Sequence, residues 1–405
     1  MRLYLLALNP TDSVSEGFLP AAARLGLTVT VLTDQPDLHR RAYQDLGHLG
    51  GAASVEILEC DVRDFRTVIT RIATHHRADA VFTNSDHLQT QAALAADYFG
   101  LPGKDWRAAL RTKDKAHMRR HLAAEGADTV WSAELPAGQD PASLAALPVP
   151  YPCVVKPREG VASEDVVLAG DIEDLLLRCK EIQARRPWAA LVIEEYLPGE
   201  LYTLETLGDR HRRHVLGGFH TTVSPPPVFI EESLVLVPAH PEPVVEQVLA
   251  QLDALGVGFG ACHTEFVVHE GRARLIEVNY RAIGDQCDLL LAQLLDIPLF
   301  EHILRTHLGE PLPVRLGART DGRARLDYPC AERAGTLTSA PEACDLTVDG
   351  VQLTYRPLRA VGERHEVYRT NRDYLGVLRA TGTDQPTVDR VVAGFLAAQR
   401  WEITS

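Results

Sequence analysis

Short apolar runs alternate with stretches of helical periodicity through the first hundred residues. Leu3–Leu8 reads as a strand, followed by a loop through Asn9-Pro10 and a helix from about Ser15 to Leu25. Thr28–Leu32 reads as a second strand, Ser54–Glu59 as a third and Ala80–Thr83 as a fourth, with a helix over Phe65–His75. Strands separated by helices imply a parallel sheet covered on both faces. No G-x-G-x-x-G follows the first strand, so the dinucleotide fingerprint is missing. The loop Thr83-Asn84-Ser85-Asp86-His87 follows a strand and precedes a helix. Loops at that end of such sheets touch ligands; a plain helix cap by Ser85 or Asp86 is the other reading.

Leu101-Pro102-Gly103 marks a boundary, and a charged helix is expected from Trp106 to about Ala124. A Pro-rich linker leads to Cys153-Val154-Val155-Lys156-Pro157, where a lysine ends an apolar strand. That placement points to an anion site, or to an edge lysine that snorkels to water. Asp171–Gln183 has the period of an amphipathic helix, and Leu191–Gly199 that of a strand running into a turn. Residues 219–240 are expected as a loop and a strand interrupted by Pro225-Pro226-Pro227, since no central strand tolerates that run. Helices are expected at Glu246–Leu255, Gln286–Leu295, Leu299–Leu308 and near Val388–Gln399, with strand signals after Glu310-Pro311.

Between the first two of those helices lies the most informative pattern. Two runs of alternation, from His263 to Val268 and from Ala273 to Arg281, flank His269-Glu270-Gly271-Arg272 and read as a β-hairpin. A three-residue turn places Glu265 opposite Glu277 and His263 opposite Asn279. Thr264, Phe266, Val268, Ile276, Val278 and Tyr280 then share the other, core-facing side. A two-residue turn would put the two glutamates on opposite faces. Opposed carboxylates repel, and a divalent cation between them reverses that sign. Oxygen donors of this kind suit Mg²⁺ completed by phosphates. An exposed hairpin with its acids in water is the alternative.

Composition narrows the class. The 405 residues suffice for two or three domains, and 45% apolar with 24% charged residues is ordinary for a globular protein. A net charge of −14 argues against a nucleic-acid partner but leaves room for ATP. The seven cysteines form no C-x-x-C pair and lie mostly in apolar runs, as buried reduced thiols of a cytoplasmic protein would. Leu3–Leu8 is too short for a signal peptide. No apolar run approaches the ~20 residues of a membrane span, so no membrane partner is expected.

The ordered set of Lys115, Lys156, Glu194-Glu195-Tyr196-Leu197-Pro198-Gly199, His263-x-Glu265 and Glu277-x-Asn279-x-Arg281 resembles the ATP-grasp superfamily of carboxylate–amine ligases, most sharply across roughly 110–300. The segments Ala7–Ser13 and Thr83–His87 are similar to the branch found in siderophore and other amino-acid-derived natural product pathways. The resemblance implies an α/β fold with an α+β core. Its parts would be an N-terminal αβ layer over 1–104, a lid subdomain over 105–193, a large subdomain with the metal site over 194–315, and a strand-rich region over 316–405 packed on the core. Implied cofactors are ATP and two Mg²⁺ ions, with Mn²⁺ as a substitute. Implied partners are a small-molecule carboxylate and amine, and a second copy in a homodimer.

Residue by residue, the resemblance puts Lys115 and Lys156 on ATP phosphates, and Lys156 and Arg281 in the catalytic group. Glu194, Glu195 and Leu197 would hold adenine, partly by backbone. Glu265, Glu277 and Asn279 would ligate Mg²⁺. Arg281 would stabilise charge on the transferred phosphoryl group or the tetrahedral intermediate. The expected substrate contacts are Arg158, His220, Ser224, Asp285 and Asp288; His220 also reads as a surface or structural histidine, and His263 as that or as a group supporting the metal ligands from behind. Three departures stand out. The ribose glutamate is either Glu200, shifted by one, or replaced by Leu201. The phosphate lid Gly160-Val161-Ala162-Ser163-Glu164-Asp165 has one glycine and two acids. Paired glycines after the arginine are replaced by Ala282-Ile283-Gly284-Asp285-Gln286, where Asp285 would bind an ammonium group or cap a helix. Alternatives are a carboxylase or purine-pathway type ligase, and a nucleotide-binding regulator without turnover.

Overall fold

A computed structural model describes residues 1–44, 55–319 and 321–404. Arg2–Leu6, Thr28–Thr33, Val55–Glu59 and Ala80–Phe82 pair in parallel, with Arg2–Leu6 between Thr28–Thr33 and Ala80–Phe82. Ser54, expected in the third strand, lies outside the described residues. Both faces are buried, as a parallel sheet requires. Leu3, Leu5, Val29 and Val31 pack with Phe18, Phe82 and Phe300, and Tyr4, Leu6 and Leu32 pack with Val68, Ile72 and Leu88.

The helix expected from Ser15 to Leu25 begins instead as a π-helical turn, Ser13–Phe18, and becomes α-helical over Leu19–Arg24. Such wide turns occur frequently at functional sites. The charged helix expected over 106–124 is two, Trp106–Lys113 and Lys115–Ala124. Asp114 breaks it: its backbone is extended, and its carboxylate caps the second helix by accepting from the His117 amide at 3.0 Å. Lys115 is thereby the first residue of a helix rather than part of a solvated middle.

Ser132–Leu135, Leu191–Glu195, Cys153–Pro157 and Val167–Ala169 form a four-stranded antiparallel sheet. The helix Ile172–Arg185 covers it around Cys153, Val155, Leu175, Cys179 and Ile193. Nine of the remaining strands build one sheet, and Arg364–His365, Gly335–Ser339 and Glu402–Thr404 a small second one. The larger sheet runs from Arg272–Asn279 at one edge through Gly260–His269, Leu201–Gly208, Arg213–Val223 and Glu231–Val237, and then through Arg323–Asp327, Gly376–Gly382, Val351–Pro357 and Cys344–Val348. The last four strands come from beyond residue 316 and extend this sheet. His220, expected in a loop, lies inside a strand paired on both sides, to Tyr202 and Val235. Pro225–Pro227 fall in the connection after it, where no ladder bond is required. Among the described residues no helix is long and apolar enough to cross a membrane.

The hairpin differs from the expected one in its turn and register. The turn is the two-residue Glu270-Gly271, both at positive φ (51° and 75°), with His269 paired to Arg272. A bulge between Leu275 and Glu277 then restores the pairing, so Glu265 opposes Glu277 and His263 opposes Asn279. Phe266 faces Leu275, which is fully buried beneath the sheet. Ile276, expected on the core side, packs with Val267 and Leu197 on the other.

Candidate active site

The three layers meet around a cavity of about 620 Å³, within the range of small-molecule sites. Lys115, Lys156, Glu194, Glu195, Leu197, Glu265, Glu277, Asn279, Arg281 and Asp285 all line it. So do Asn9 to Val14, excepting Pro10, and Asn84 to His87 from the ends of two parallel strands. Ser85 makes no side-chain cap, and Asp86 pairs with Lys113, so the loop faces the cavity rather than serving as a helix cap.

Charge in the cavity is arranged in pairs. Glu194 is buried and accepts a two-pronged contact from Arg119 at 3.0 and 2.9 Å, with Lys156 Nζ at 2.8 Å. Burial would raise the Glu194 pKa, but the two cations overcome it and hold the carboxyl at about 2. Lys115 Nζ sits 2.9 Å from Glu277 Oε1. Burial opposes its charge, and Glu277 raises its pKa nonetheless. His263 lies between Glu205 at 2.7 Å and Glu265 at 3.3 Å. Burial would lower its pKa; the two carboxylates raise it to about 10. Glu195 is tied by its side chain to the Trp131 amide at 3.0 Å and to Arg274 at 3.1 Å, which leaves its backbone to face the cavity.

Glu265, Glu277 and Asn279 present hard oxygen donors to one space, the donor chemistry of a Mg²⁺ site. Among the described residues no three His, Cys, Asp or Glu side chains gather as a metal cluster. An ion here therefore needs oxygens from a phosphate-bearing ligand, which is how Mg²⁺ is held in nucleotide sites. Arg281 leaves the strand at a bend and donates to the Ala282 carbonyl at 2.8 Å. Cys262 and Cys287 are buried free thiols with pKa values pushed up by burial, so they pack rather than attack.

Several expected contacts lie elsewhere. Arg158 pairs with Asp114 at 3.2 Å and Glu134 at 2.7 Å and does not line the cavity. Glu200 is exposed and accepts from the Tyr202 hydroxyl at 2.6 Å, while Leu201 faces the cavity in its place. His220 is outside the lining and packs its ring on Tyr202. Ser224 serves its own turn, accepting from the Ile230 amide. Asp288 is wholly buried behind the lining, where burial raises its pKa to about 7.

The structure adds residues that the sequence reading passed over. Lys104 Nζ is buried and donates to Gln89 Oε1 at 2.7 Å and to the Tyr280 carbonyl, anchoring the backbone beside Arg281. Glu231, Tyr328 and Asn371 line the cavity from strands and turns far apart in the chain. Glu231-Glu232, two acids beside the Pro225–Pro227 run, was the one local signal available.

Residues 149–289 match the ATP-grasp domain family. This chain carries an ATP-grasp domain. Along its full length it is 24% identical to the uncharacterised protein y4rH of Sinorhizobium fredii, covering 84% of that protein. The fold is that of ATP-grasp enzymes of known structure. An L-amino acid ligase from Bacillus licheniformis aligns over 100% of this chain and 99% of its own, with a TM-score of 0.79 and 20% identity. Phosphoribosylglycinamide synthetase from Anaerococcus prevotii aligns over 100% and 99%, with a TM-score of 0.72 and 15% identity.

Proposed function

We propose that this ATP-grasp protein is a cytoplasmic, ATP- and Mg²⁺-dependent ligase that activates a carboxylate as an acyl phosphate and joins it to an amine. The carboxylate substrate on this reading is an amino acid, and the product an amide or peptide for a small amino-acid-derived natural product such as a siderophore. One observation carries the reading: oxygen ligands, phosphate-binding lysines and Arg281 converge on the cavity that the Glu194–Leu197 segment also lines.

In this reaction the backbone of Glu195 and Leu197 holds the adenine. Lys115 and Lys156 act as point charges on the phosphates. Glu265, Glu277 and Asn279 hold Mg²⁺, which when bound neutralises phosphate charge and aligns the γ-phosphoryl group. Arg281 holds the substrate carboxylate and stabilises the charge that develops on the acyl group. A carboxylate oxygen displaces ADP from the γ-phosphorus. The amine nitrogen then forms the C–N bond as the acyl C–O bond to phosphate breaks. An ammonium loses two protons in becoming an amide, one leaving with phosphate and one passing to solvent. Leu197, Val267 and Ile276 exclude water from the nucleotide side of the cavity.

Release of ADP and phosphate from Mg-ATP, measured over paired acids and amines, tests the proposal. Release that needs both partners and vanishes in Glu277→Ala is expected. Binding of Mg-ATP without release for any pair would overturn it in favour of a nucleotide-binding regulator.

A further inference from the structure

Six of the acids lining the cavity are answered by a cation. Asp86 pairs with Lys113, and Glu164 with Arg186 and Arg372. Glu194, Glu195, Glu265 and Glu277 are paired as described above. Three others, Asp12, Glu231 and Asp285, have no ion-pair partner among the described residues.

These three come from separate segments: the loop after the first strand, the start of Glu231–Val237, and the turn before the helix Cys287–Leu295. Asp285 links the other two: its neighbour Gln286 donates to Asp12, and the stacked Tyr328 and Tyr374 bridge its carbonyl to that of Glu231. Burial and the neighbouring Glu265 and Asp285 carboxylates raise the Glu231 pKa, with His263 opposing. Crowding by the surrounding chain raises that of Asp285, with Arg281 and His263 opposing and Asp12 adding to it.

The fold fixes this like-charged group in place. The rings of Tyr328 and Tyr374 stack at 4.3 Å and 11°. Their hydroxyls donate to the Asp285 carbonyl at 2.9 Å and the Glu231 carbonyl at 2.8 Å. Asn371 Oδ1 accepts from the Glu231 amide at 3.1 Å. Asp285 is held at positive φ (53°), a conformation that persists only where its surroundings impose it. Gln286, also at positive φ, donates to Asp12 at 2.8 Å. Carboxyls assembled against their mutual repulsion, in a cleft, mark a site for a positive ligand. They do not gather as a metal cluster, whereas an ammonium with three donors can bridge separated acceptors.

Of the basic side chains lining the cavity, Lys115, Lys156 and His263 are already bound to carboxylates, and His87 has its pKa lowered by burial and Lys113. Arg281 serves the carboxylate being activated. Among the described residues, a second carboxylate would meet Asp12, Glu231 and Asp285 with no cation of its own.

Resting on the ligase reading, we infer that the amine substrate bears an ammonium group and no carboxylate, as in a diamine, a polyamine or a carboxyl-blocked amino acid, and that Asp12, Glu231 and Asp285 select it. The α-ammonium of an amino acid donating the carboxylate occupies part of this acidic set, and the cationic amine takes the rest.

Hydroxylamine, a small neutral nucleophile, separates this inference from the reading beneath it. The full-length protein with Mg-ATP is first screened for acids that yield a hydroxamate. With such an acid, phosphate release is compared for L-lysine, L-lysinamide and 1,5-diaminopentane, and for L-alanine against L-alaninamide. The carboxyl-free amines should exceed their carboxylate counterparts by at least tenfold in kcat/KM. Glu231→Gln and Asp285→Asn, checked for an unchanged melting temperature, should each raise the KM for 1,5-diaminopentane at least tenfold and shrink the preference. Hydroxamate formation with L-lysine and L-alanine as the better amines would overturn the inference and leave the ligase intact. No hydroxamate and no release with any acid would overturn both. If both variants unfold, calorimetric titration of the wild type with 1,5-diaminopentane and L-lysine in Mg-ADP decides, and equal or tighter binding of L-lysine overturns the inference.

Discussion

Glu265 and Glu277 oppose each other across the hairpin because Ile276 is an extra residue in its second strand. Two carboxylates in that position repel, and each is balanced separately, Glu277 by Lys115 and Glu265 by His263. Replacing Glu277 by Gln leaves the buried Lys115 ammonium without its partner. Loss of about 3 kcal/mol is expected in urea unfolding without nucleotide, the cost of orphaning one member of a buried pair. Glu277→Gln with Lys115→Met should recover at least half of that stability and remain inactive with Mg-ATP. Activity in the double variant would show that neither side chain handles phosphate or metal.

His263 links this balance to pH. Its pKa is about 10 in the folded chain against 6.5 unperturbed, so the folded state holds a proton that the unfolded state releases. The stabilisation is complete below pH 6.5 and is lost as pH rises through about 10. The stability gap between wild type and His263→Gln, measured with chelator by urea unfolding at pH 6, 8 and 10, should narrow by on the order of 2 kcal/mol across that range. A gap that is flat or widens would mean that the imidazole is neutral between its two glutamates.

What was legible in the chain and what was not divides along physical lines. The parallel layer, the strand ending in Lys156 and the hairpin acids were readable because each is a local pattern of period or spacing. The break at Asp114 was readable in principle, since Asp is a strong cap, but the run of helix formers on both sides concealed it. The bulge at Ile276 left no mark, because two-residue turns with and without a bulge share the same alternation nearby. Of the acidic group, Asp285 was legible as an ammonium ligand, but its assembly with Asp12 and Glu231 was not. Asp12 stands more than two hundred residues before the other two, and the tyrosines that fix those two belong to a region whose strands show only as ordinary alternation.

The turn itself makes a backbone prediction free of packing effects. Glu270 and Gly271 are both left-handed, and nothing lies within 4 Å of where a Gly271 side chain would begin. Gly271→Ala should then cost about 1 kcal/mol from conformation alone. Glu270→Asn, which tolerates that region better, should stabilise by about 0.5 kcal/mol. Thermal unfolding of the two variants checks the pair, and a neutral Gly271→Ala would contradict the left-handed assignment.

Glu164 and Asp165, the two acids of the segment expected to cover phosphate, are consumed in a latch. Glu164 pairs with Arg186 and with Arg372, and Asp165 with Arg185 and Arg186, each at 2.7 Å. The Ala162 carbonyl accepts from the Asn371 amide at 3.2 Å. Ala162, Ser163 and Asp165 all sit at positive φ, so the loop holds this shape because those contacts impose it. Arg372 reaches it from the far end of the chain. Arg372→Ala should release one side of the latch while leaving both subdomain cores untouched. Amide exchange over residues 160–166 should quicken at least fivefold, the KM for ATP should rise three- to tenfold, and the melting temperature should fall by less than about 3 °C, since the buried Glu164 keeps Arg186 as its partner. Unchanged exchange in that segment would show that Arg185 and Arg186 suffice to hold the lid, and that the C-terminal region does not take part in covering the phosphates.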